Sequence, residues 1–513
     1  MISSLFIICK KIHIIKFGYE RIGGETVSEN EALNRVRFWP VMIAIFCGSF
    51  ISTLATSTIN IALPLLQHHF ETTLGTIQWT ITGFMLAMGT IAPITGYLGE
   101  RFSYKRLYLF ALAGFTLASA LCAFAWNPAS LVVFRILQGA FSGLIVPATM
   151  TIIYQVIPRE KQAMAMGLWG VSAMLAPAIG PTFAGWLLES WSWKWLFWIN
   201  IPVGLVSVLC VTRFIPYYRL KVPKSFDLIG FVTVTIGSAS LLVALGQGHA
   251  WGWASAEIVT LFAAGLVFLA LFIWRELVAE TPLLDLRVLA NGRYTLTLVI
   301  VSILTVSLYS GMLLIPVFLQ NIQRVTPMDT GLILLPASLA MALMMPIVAK
   351  LYEKIGPRWL LTTGIALLGV GTLTLSWLSV DVSHSYILFW MIVRNVGIAM
   401  VMMPASNAGM ERIPPHLAGH ASSMSNWTRN VFGSFSIAIF TSLLASYSTG
   451  HATDLVKSGV TDKVQLQLLS FTMSVDDVFL IATVIALVAL PLSLTVGKLK
   501  PKLLSETKGM GAA

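Results

Sequence analysis

At 513 residues, with 57% hydrophobic side chains and only 11% charged ones, the chain departs far from a soluble globular protein, in which charged residues supply about 25%. The net charge of +11 would by itself raise a polyanionic partner such as nucleic acid. The basic residues, however, sit between long apolar runs, and that arrangement points to a polytopic membrane protein instead. Four cysteines, Cys9, Cys47, Cys122 and Cys210, lie far apart with no metal-like or redox-like spacing and read as packing residues.

Residues 1–37 form an N-terminal tail. Its apolar stretch, 2–8, is interrupted by Lys10 and Lys11 and falls well short of the roughly 20 residues a spanning helix needs. No basic region precedes it and no small-residue cleavage site follows, so it is expected to be a cytoplasmic tail, disordered or lying on the membrane surface.

From Phe38 onward the sequence predicts fourteen apolar runs of spanning length. Six fall at roughly 38–61, 77–98, 106–126, 129–153, 162–187 and 195–215. A central pair follows at roughly 226–246 and 256–274. The last six fall at roughly 294–319, 328–349, 358–378, 385–410, 418–446 and 477–497. An even count places both termini on one side. Of the 33 Lys and Arg residues, only Lys194, Arg324, Lys457 and Lys463 fall on the opposite side, and Arg135, Arg394 and Arg429 fall within runs. The positive-inside rule then makes both termini cytoplasmic.

The loop after the second run reads Gly96-Tyr-Leu-Gly-Glu100-Arg101-Phe-Ser103-Tyr-Lys105-Arg106. A weaker echo, Glu353-Lys354-Ile-Gly356-Pro-Arg358, follows the tenth run. After each copy an arginine lies inside an apolar run, Arg135 and then Arg394. Two loops each followed by one buried arginine read as an internal duplication, a common architecture of secondary transporters. The domains expected are a bundle of six helices over 38–215, an inserted pair over 216–275, a cytoplasmic linker with a second six-helix bundle over 276–498, and a tail over 499–513. The inserted pair carries no mid-span charge and stands outside the duplicated pattern, so it is expected to be peripheral to any pathway.

In the fourth run Arg135 and Gln138 share a helix face, while Gly139 and Gly143 make a small-residue strip for close helix contact. An arginine inside a membrane span is a functional candidate by default, although a structural role for it stays open. The fifth run, with Gly170, Ala176, Pro177, Gly180, Pro181 and Gly185, combines lost backbone donors with a thin helix. It reads as a kinked, closely packed element on which two halves can rock.

The loop from Gly96 to Lys105 resembles the signature of the major facilitator superfamily between its second and third spans, with Glu100 for the usual aspartate and Ser103 for the second glycine. The strip around Arg135 and the run from Gly170 to Gly185 resemble that superfamily's span 4 and exporter motifs. The order Trp191-x-Trp193-x-Trp195-x-Phe197-x-Ile199-Asn200-x-Pro202-x-Gly204 is similar to the subgroup of drug-proton antiporters with fourteen spans. Further matches are Phe226-Asp227-x-x-Gly230, Thr281-Pro282-Leu283-Leu284-Asp285-Leu286 and Gly419-x-Ala421-Ser422 ahead of Asn426, Arg429 and Asn430.

The resemblance implies an all-α integral membrane protein of the major facilitator fold, two six-helix bundles plus two inserted central helices. It implies a multidrug-efflux antiporter of the plasma membrane, exporting lipophilic compounds by alternating access and driven by the proton gradient. No other cofactor, metal or nucleic acid is expected. The bilayer and small lipophilic substrates are the expected partners, and a monomer the expected functional unit. An exporter of one endogenous metabolite and a non-transporting receptor on the same fold remain alternatives. An enzyme is not expected, because no cluster of His, carboxylates or a nucleophile is apparent at either face.

The resemblance also assigns roles. Gly96, Glu100, Arg101 and Lys105, with Glu353 and Arg358 in the echo, would form the gating loops. Arg135, Gln138 and Arg394 would serve coupling, and Gly170, Pro177, Gly180, Pro181 and Gly185 the hinge. A pocket between the halves would draw on Asn60, Trp79, Met85, Gln138, Trp169, Met174, Tyr309, Asn407, Asn426 and Trp427. One departure stands out, since Ala55 occupies the place of the family's span 1 aspartate and no other acid lies mid-span. A proton carrier must titrate, so coupling would fall to an end-of-span carboxylate or take another form. The same loss leaves the interior positive and favours neutral, zwitterionic or anionic amphiphiles, unless Asp329 or Glu411 reaches the pocket.

Overall fold

The computed structural model describes residues 37–72, 74–218 and 225–496, so both predicted tails lie outside the described residues apart from Arg37. All regular structure among them is helical. The first half comprises α1 (Phe38–His69), α2, α3 (Tyr104–Ala123), α4 (Pro128–Val156), α5 (Arg159–Ser190) and α6 (Asn200–Phe214), the last entered by the short helix Trp195–Trp198. Here α2 runs over Leu74–Ile91, through a 3-10 turn at Ala92–Ile94, into Thr95–Phe102. The inserted pair is α7 (Leu228–Trp251) and α8 (Ala256–Val278). The second half comprises α9 (Gly292–Asn321), α10 (Pro327–Ile355), α11 (Pro357–Thr374), α12 (His384–Met410), α13 (Ala418–Lys457) and α14 (Lys463–Thr495).

Twelve of these helices are long and apolar enough to cross a membrane, and α5 makes a thirteenth if its two arms, bent by 43°, count as one crossing. The remaining helix, α11, is 18 residues long and opens with Pro357 and Arg358, which lowers its apolarity. Backbone groups at several helix starts are satisfied locally, as continuous helix in hydrocarbon requires. Asn127 and Ser130 cap α4 reciprocally, Asn291 caps α9, Thr326 caps α10 and Asp462 caps α14.

The last two helices run longer than their apolar stretches. Helix α13 has 40 residues, about 60 Å at 1.5 Å per residue, against a hydrocarbon core of about 30 Å. The polar segment between the predicted runs 418–446 and 477–497 therefore continues as paired helix instead of breaking into loop. Hydropathy cannot see such an extension, because α13 and α14 pack on each other beyond the apolar layer.

Helices α1 to α6 pack among themselves, as do α9 to α14, and α5 lies along α10 to join the halves. The duplication inferred from the loops is visible in the backbone. Ser103 ends α2 at φ 78° and Gly356 ends α10 at φ 77°, so both copies turn through the same left-handed conformation. At Ser103 that conformation falls on a side chain, which glycine would avoid.

The two helices of the inserted pair, expected to be peripheral to the pathway, pack differently. Helix α8 does lie outside, packing mainly on α7, with only 17% of its most apolar stretch buried against 67% for α9. Helix α7, by contrast, fills the seam between α2 and α13. Trp427 Nε1 on α13 donates to Ser238 Oγ on α7 at 2.8 Å, and Trp253 Nε1 donates to Ser442 Oγ at 2.7 Å.

Candidate functional site

The halves meet at the end of the bundle that carries most of the basic residues, and small residues make the contact possible. A side chain at Gly96 would come within 3.0 Å of His420 Nδ1 and 3.3 Å of the Gly419 carbonyl carbon, so α2 and the start of α13 touch backbone to backbone. Tyr104 closes the packing by donating from its hydroxyl to the Gly96 carbonyl at 3.1 Å. Gln155 Nε2 on α4 donates to the Pro415 carbonyl at 2.7 Å, a second tie across the same end.

Glu100 lies inside this contact, 8% exposed, with His420 Nε2 3.2 Å from its Oε1. The approach is close enough for ion pairing, yet Oε1 makes no directed hydrogen bond, so we treat the contact as electrostatic. His420 Nδ1 accepts from the Asp285 backbone N–H at 3.2 Å. The sequence reading took Glu100 as a gate but left its partner unseen. The visible clue was the variable position of Gly419-x-Ala421-Ser422, which is this histidine.

Asp285 belongs to a bracket built from two of the subgroup-like motifs. Asp227 caps α7 through the Gly230 N–H and pairs with Arg275 Nε at 3.0 Å. Glu276 accepts from the N–H groups of Leu283 and Leu284 at 3.2 and 3.0 Å. The Phe226 and Thr281 motifs therefore hold the linker after α8 against the inserted pair, and Asp285 carries that bracket to His420.

The echoed loop does not form an equivalent gate. Glu353 is exposed and makes no ion pair among the described residues, while Arg358 Nε donates to the Val496 carbonyl at 3.0 Å within its own half. Across α5 and α10 the halves meet through glycine instead. A side chain at Gly170 would press on Met345 Sδ at 2.9 Å, and one at Gly167 on the Met345 carbonyl oxygen at 3.0 Å. Gly180 faces Ser57 on α1 too closely for any side chain. Pro177 is half-buried next to the bend of α5, the Pro181 side chain lies outside the described residues, and Gly185 faces Met328 at 3.8 Å.

The two arginines of the duplication are sealed inside their own bundles. Arg135, 1% exposed, donates from Nε to the Thr80 carbonyl at 3.0 Å and from Nη1 to Gln138 Oε1 at 2.7 Å, and stacks 4.1 Å above Phe84. Gln138 passes the chain on to Ser119 Oγ at 2.5 Å. Arg394, also 1% exposed, donates from Nη2 to the carbonyls of Ser307 and Leu308 on α9. Backbone carbonyls and an amide, with no carboxylate, solvate both guanidinium groups.

The residues expected in a pocket separate on inspection. Trp169 is buried and donates to Thr149 Oγ1 at 3.1 Å, which makes it packing in the first half. Trp427 points to α7. Trp79, Met85 and Met174 are half-buried and Asn407 is buried, while the Asn60 side chain lies outside the described residues. Tyr309 packs its ring against Gly433 of α13, and Asn426 is 6% exposed with its Nδ2 unpartnered. Asp329 turns back to Thr326 at the start of α10, and Glu411 is held by Tyr352 and by Arg293 at 3.3 Å. Asp329 therefore stays with its own helix start, while Glu411 lies near Tyr154 of the first half.

The sequence model of the Major Facilitator Superfamily matches residues 45–437. An uncharacterized MFS-type transporter of Bacillus subtilis, YhcA, is 32% identical over 81% of this chain and 78% of its own length. The lincomycin resistance protein LmrB of Listeria monocytogenes is 30% identical over 91% of this chain and 98% of its own. The tetracenomycin C resistance and export protein of Streptomyces glaucescens is 29% identical, covering 80% and 77%. Among solved structures, the human organic anion transporter MFSD10 superposes with a TM-score of 0.62 over 87% of this chain and 99% of its own, at 13% identity, a likeness of fold alone.

Proposed function

The chain belongs to the Major Facilitator Superfamily, as a multi-pass membrane transporter with drug-resistance relatives, and from that premise we propose that it exports lipophilic compounds from the cell. In this reading all fourteen helices, α5 and α11 included, cross the plasma membrane, the basic end and both termini face the cytoplasm, and the protein works as a monomer. The conformer described here is closed at the cytoplasmic end. Export requires that seal to open, admit substrate and close again while the other end opens, which is alternating access.

The observation that carries the reading is the construction of the seal. It brings glycine-to-backbone contact at Gly96 and Gly419 together with one buried carboxylate against one imidazole. Such a contact can part and re-form as two rigid bodies rock. Glu100 and His420 are titratable groups in that moving contact and are the proposed place where a proton gradient acts, in a chain whose first span has Ala55 for the usual acid.

The test is uptake into inside-out vesicles across a panel of lipophilic compounds, with and without a collapsed pH gradient. Energised accumulation of several chemically distinct compounds is the expected result. Accumulation of a single compound only would replace this reading with a dedicated exporter, and none at all would remove export. Accumulation that ignores collapse of the pH gradient would remove proton antiport alone.

A further inference from the structure

One face of α13 carries polar groups that the packing leaves unused. Successive residues turn 100° about a helix, so Asn426, Arg429, Asn430 and Gly433 lie along one face, with Trp427 beyond its Asn430 edge. The edges of that face are fixed by contacts. Gly433 meets the Tyr309 ring on α9, and the Asn430 Cβ lies 3.5 Å from where a side chain at Gly89 on α2 would begin. Asn426 falls between these contacts, in line with the seam between the first and second halves, and Arg429 lies just past Gly433, on the side that faces Tyr309.

Arg429 is unlike the other two intramembrane arginines. Arg135 and Arg394 each place donors on carbonyl or amide oxygens, although Arg135 Nη2 and Arg394 Nε are left over, whereas Arg429 makes no hydrogen bond and no ion pair among the described residues. Its Nε is buried without a partner, and the residue as a whole is half-buried. Beside it stand the unpartnered Asn426 Nδ2 and the Tyr309 hydroxyl, which lies within electrostatic reach of the guanidinium. Three groups able to donate thus gather here, and no carboxylate pairs with the guanidinium among the described residues. A buried cation without a counter-charge is costly, and a bound anion would relieve it.

We infer that Arg429, Asn426 and Tyr309 form an anion-binding subsite that takes the carboxylate, sulfonate or phosphate head of an amphiphile, with its apolar body against the Tyr309 ring. Guanidinium suits this role because its planar donor fork pairs with two oxygens at once, and the flanking amide and phenol can complete the shell. The acids that could compete are held elsewhere. Glu100 faces His420, Glu411 faces Tyr352 and Arg293, Asp477 faces His451 at 2.7 Å, and Asp476 accepts from the Leu378 N–H at 2.9 Å. The inference rests on the exporter reading for its physiological meaning, but the binding it describes does not depend on turnover.

The test compares equilibrium binding of dansylglycine, a carboxylate, with dansylglycinamide, its neutral analogue, to the purified full-length protein by probe fluorescence. Wild type is expected to favour the carboxylate by about tenfold or more, the scale of one charge-assisted pair. Arg429→Gln should bring the ratio of the two affinities to about one. Arg429→Lys should keep a reduced preference, since charge remains without the fork. Asn426→Asp, which supplies an internal counter-charge and leaves Arg429 in place, should abolish the preference and guards against a variant that merely fails to fold.

A wild-type ratio near one, or a ratio in folded Arg429→Gln equal to wild type, overturns the subsite. Vesicle uptake separates the two proposals. Anion preference in binding with no uptake of any compound would sink the exporter reading and leave the subsite, whereas uptake with no anion preference would do the reverse.

Discussion

Adding a single methyl group at Gly419 should unlatch the closed end. A Cβ there would overlap the Tyr104 hydroxyl, come within 2.7 Å of its Cζ and stand 3.5 Å from Gly96 Cα. Tyr104 is only 3% exposed, so its ring has no free volume to swing into. Either the tyrosine gives up its hydrogen bond to the Gly96 carbonyl, leaving two buried polar groups unpaired, or α13 retreats by several tenths of an ångström and draws His420 away from Glu100. The first outcome costs about 1–3 kcal/mol. Replacing glycine by alanine also favours helix by up to about 1 kcal/mol, but α13 is helical in either conformer, so that term cancels in the ratio between them.

With 1.4 kcal/mol per factor of ten, the closed conformer should lose roughly five- to one-hundredfold in relative population. The assay is labelling by a membrane-impermeant maleimide in inside-out vesicles. The reporter is Ser422→Cys, at a site 0% exposed in the closed state, in a chain whose four native cysteines are replaced by alanine. The rate should rise by the same factor when Gly419→Ala is added. An unchanged rate in a well-folded protein would refute the claim that Gly96, Tyr104 and Gly419 form the seal.

Ser103→Gly should raise thermal stability by about 1 kcal/mol, because it relieves a side chain at φ 78° and removes a hydroxyl that is buried and unpartnered. A lowered melting temperature would contradict that reading of the turn. Gly139→Val should prevent correct assembly of the first half, since a side chain at Gly139 would strike the Phe84 backbone, with Cα at 2.8 Å. Normal yield and melting in detergent would count against the α2–α4 contact. Arg135→Ala should destabilise the protein by about 1–3 kcal/mol as well as impair export, because Gln138 Oε1 would lose its donor beside an emptied site while Nε2 keeps Ser119. Wild-type melting with lost efflux would instead make Arg135 purely functional. Ser238→Ala should loosen α7 from α13 by about 1 kcal/mol through the lost Trp427 bond, seen as faster protease nicking between α7 and α8, and unchanged nicking would argue against a brace.

Membrane insertion is a local property, and the sequence determined it. A helix needs a run of apolar residues of sufficient length whatever its neighbours are, so the apolar runs and the charged loops between them could be read in order. The repeat was legible for a similar reason. Both copies need the same left-handed turn, at Ser103 and Gly356, with charged residues nearby to keep it out of hydrocarbon. The glycines of α4 and α5 were also interpretable, since close approach of two backbones demands small residues wherever the partner lies.

Only the tertiary structure decided which groups meet. Lipid and bundle interior are equally apolar, so hydropathy does not tell which face of a spanning helix turns inward. The bond from Trp427 to Ser238 and the place of α7 between α2 and α13 were therefore not legible along the chain. Glu100 and His420 lie far apart in the chain and become partners only when the halves close. The three intramembrane arginines were equal in sequence. Carbonyls from other helices take part of the Arg135 and Arg394 donors and leave Arg429 without a partner among the described residues, and no pattern along one stretch of residues encodes where a neighbouring helix will aim its backbone.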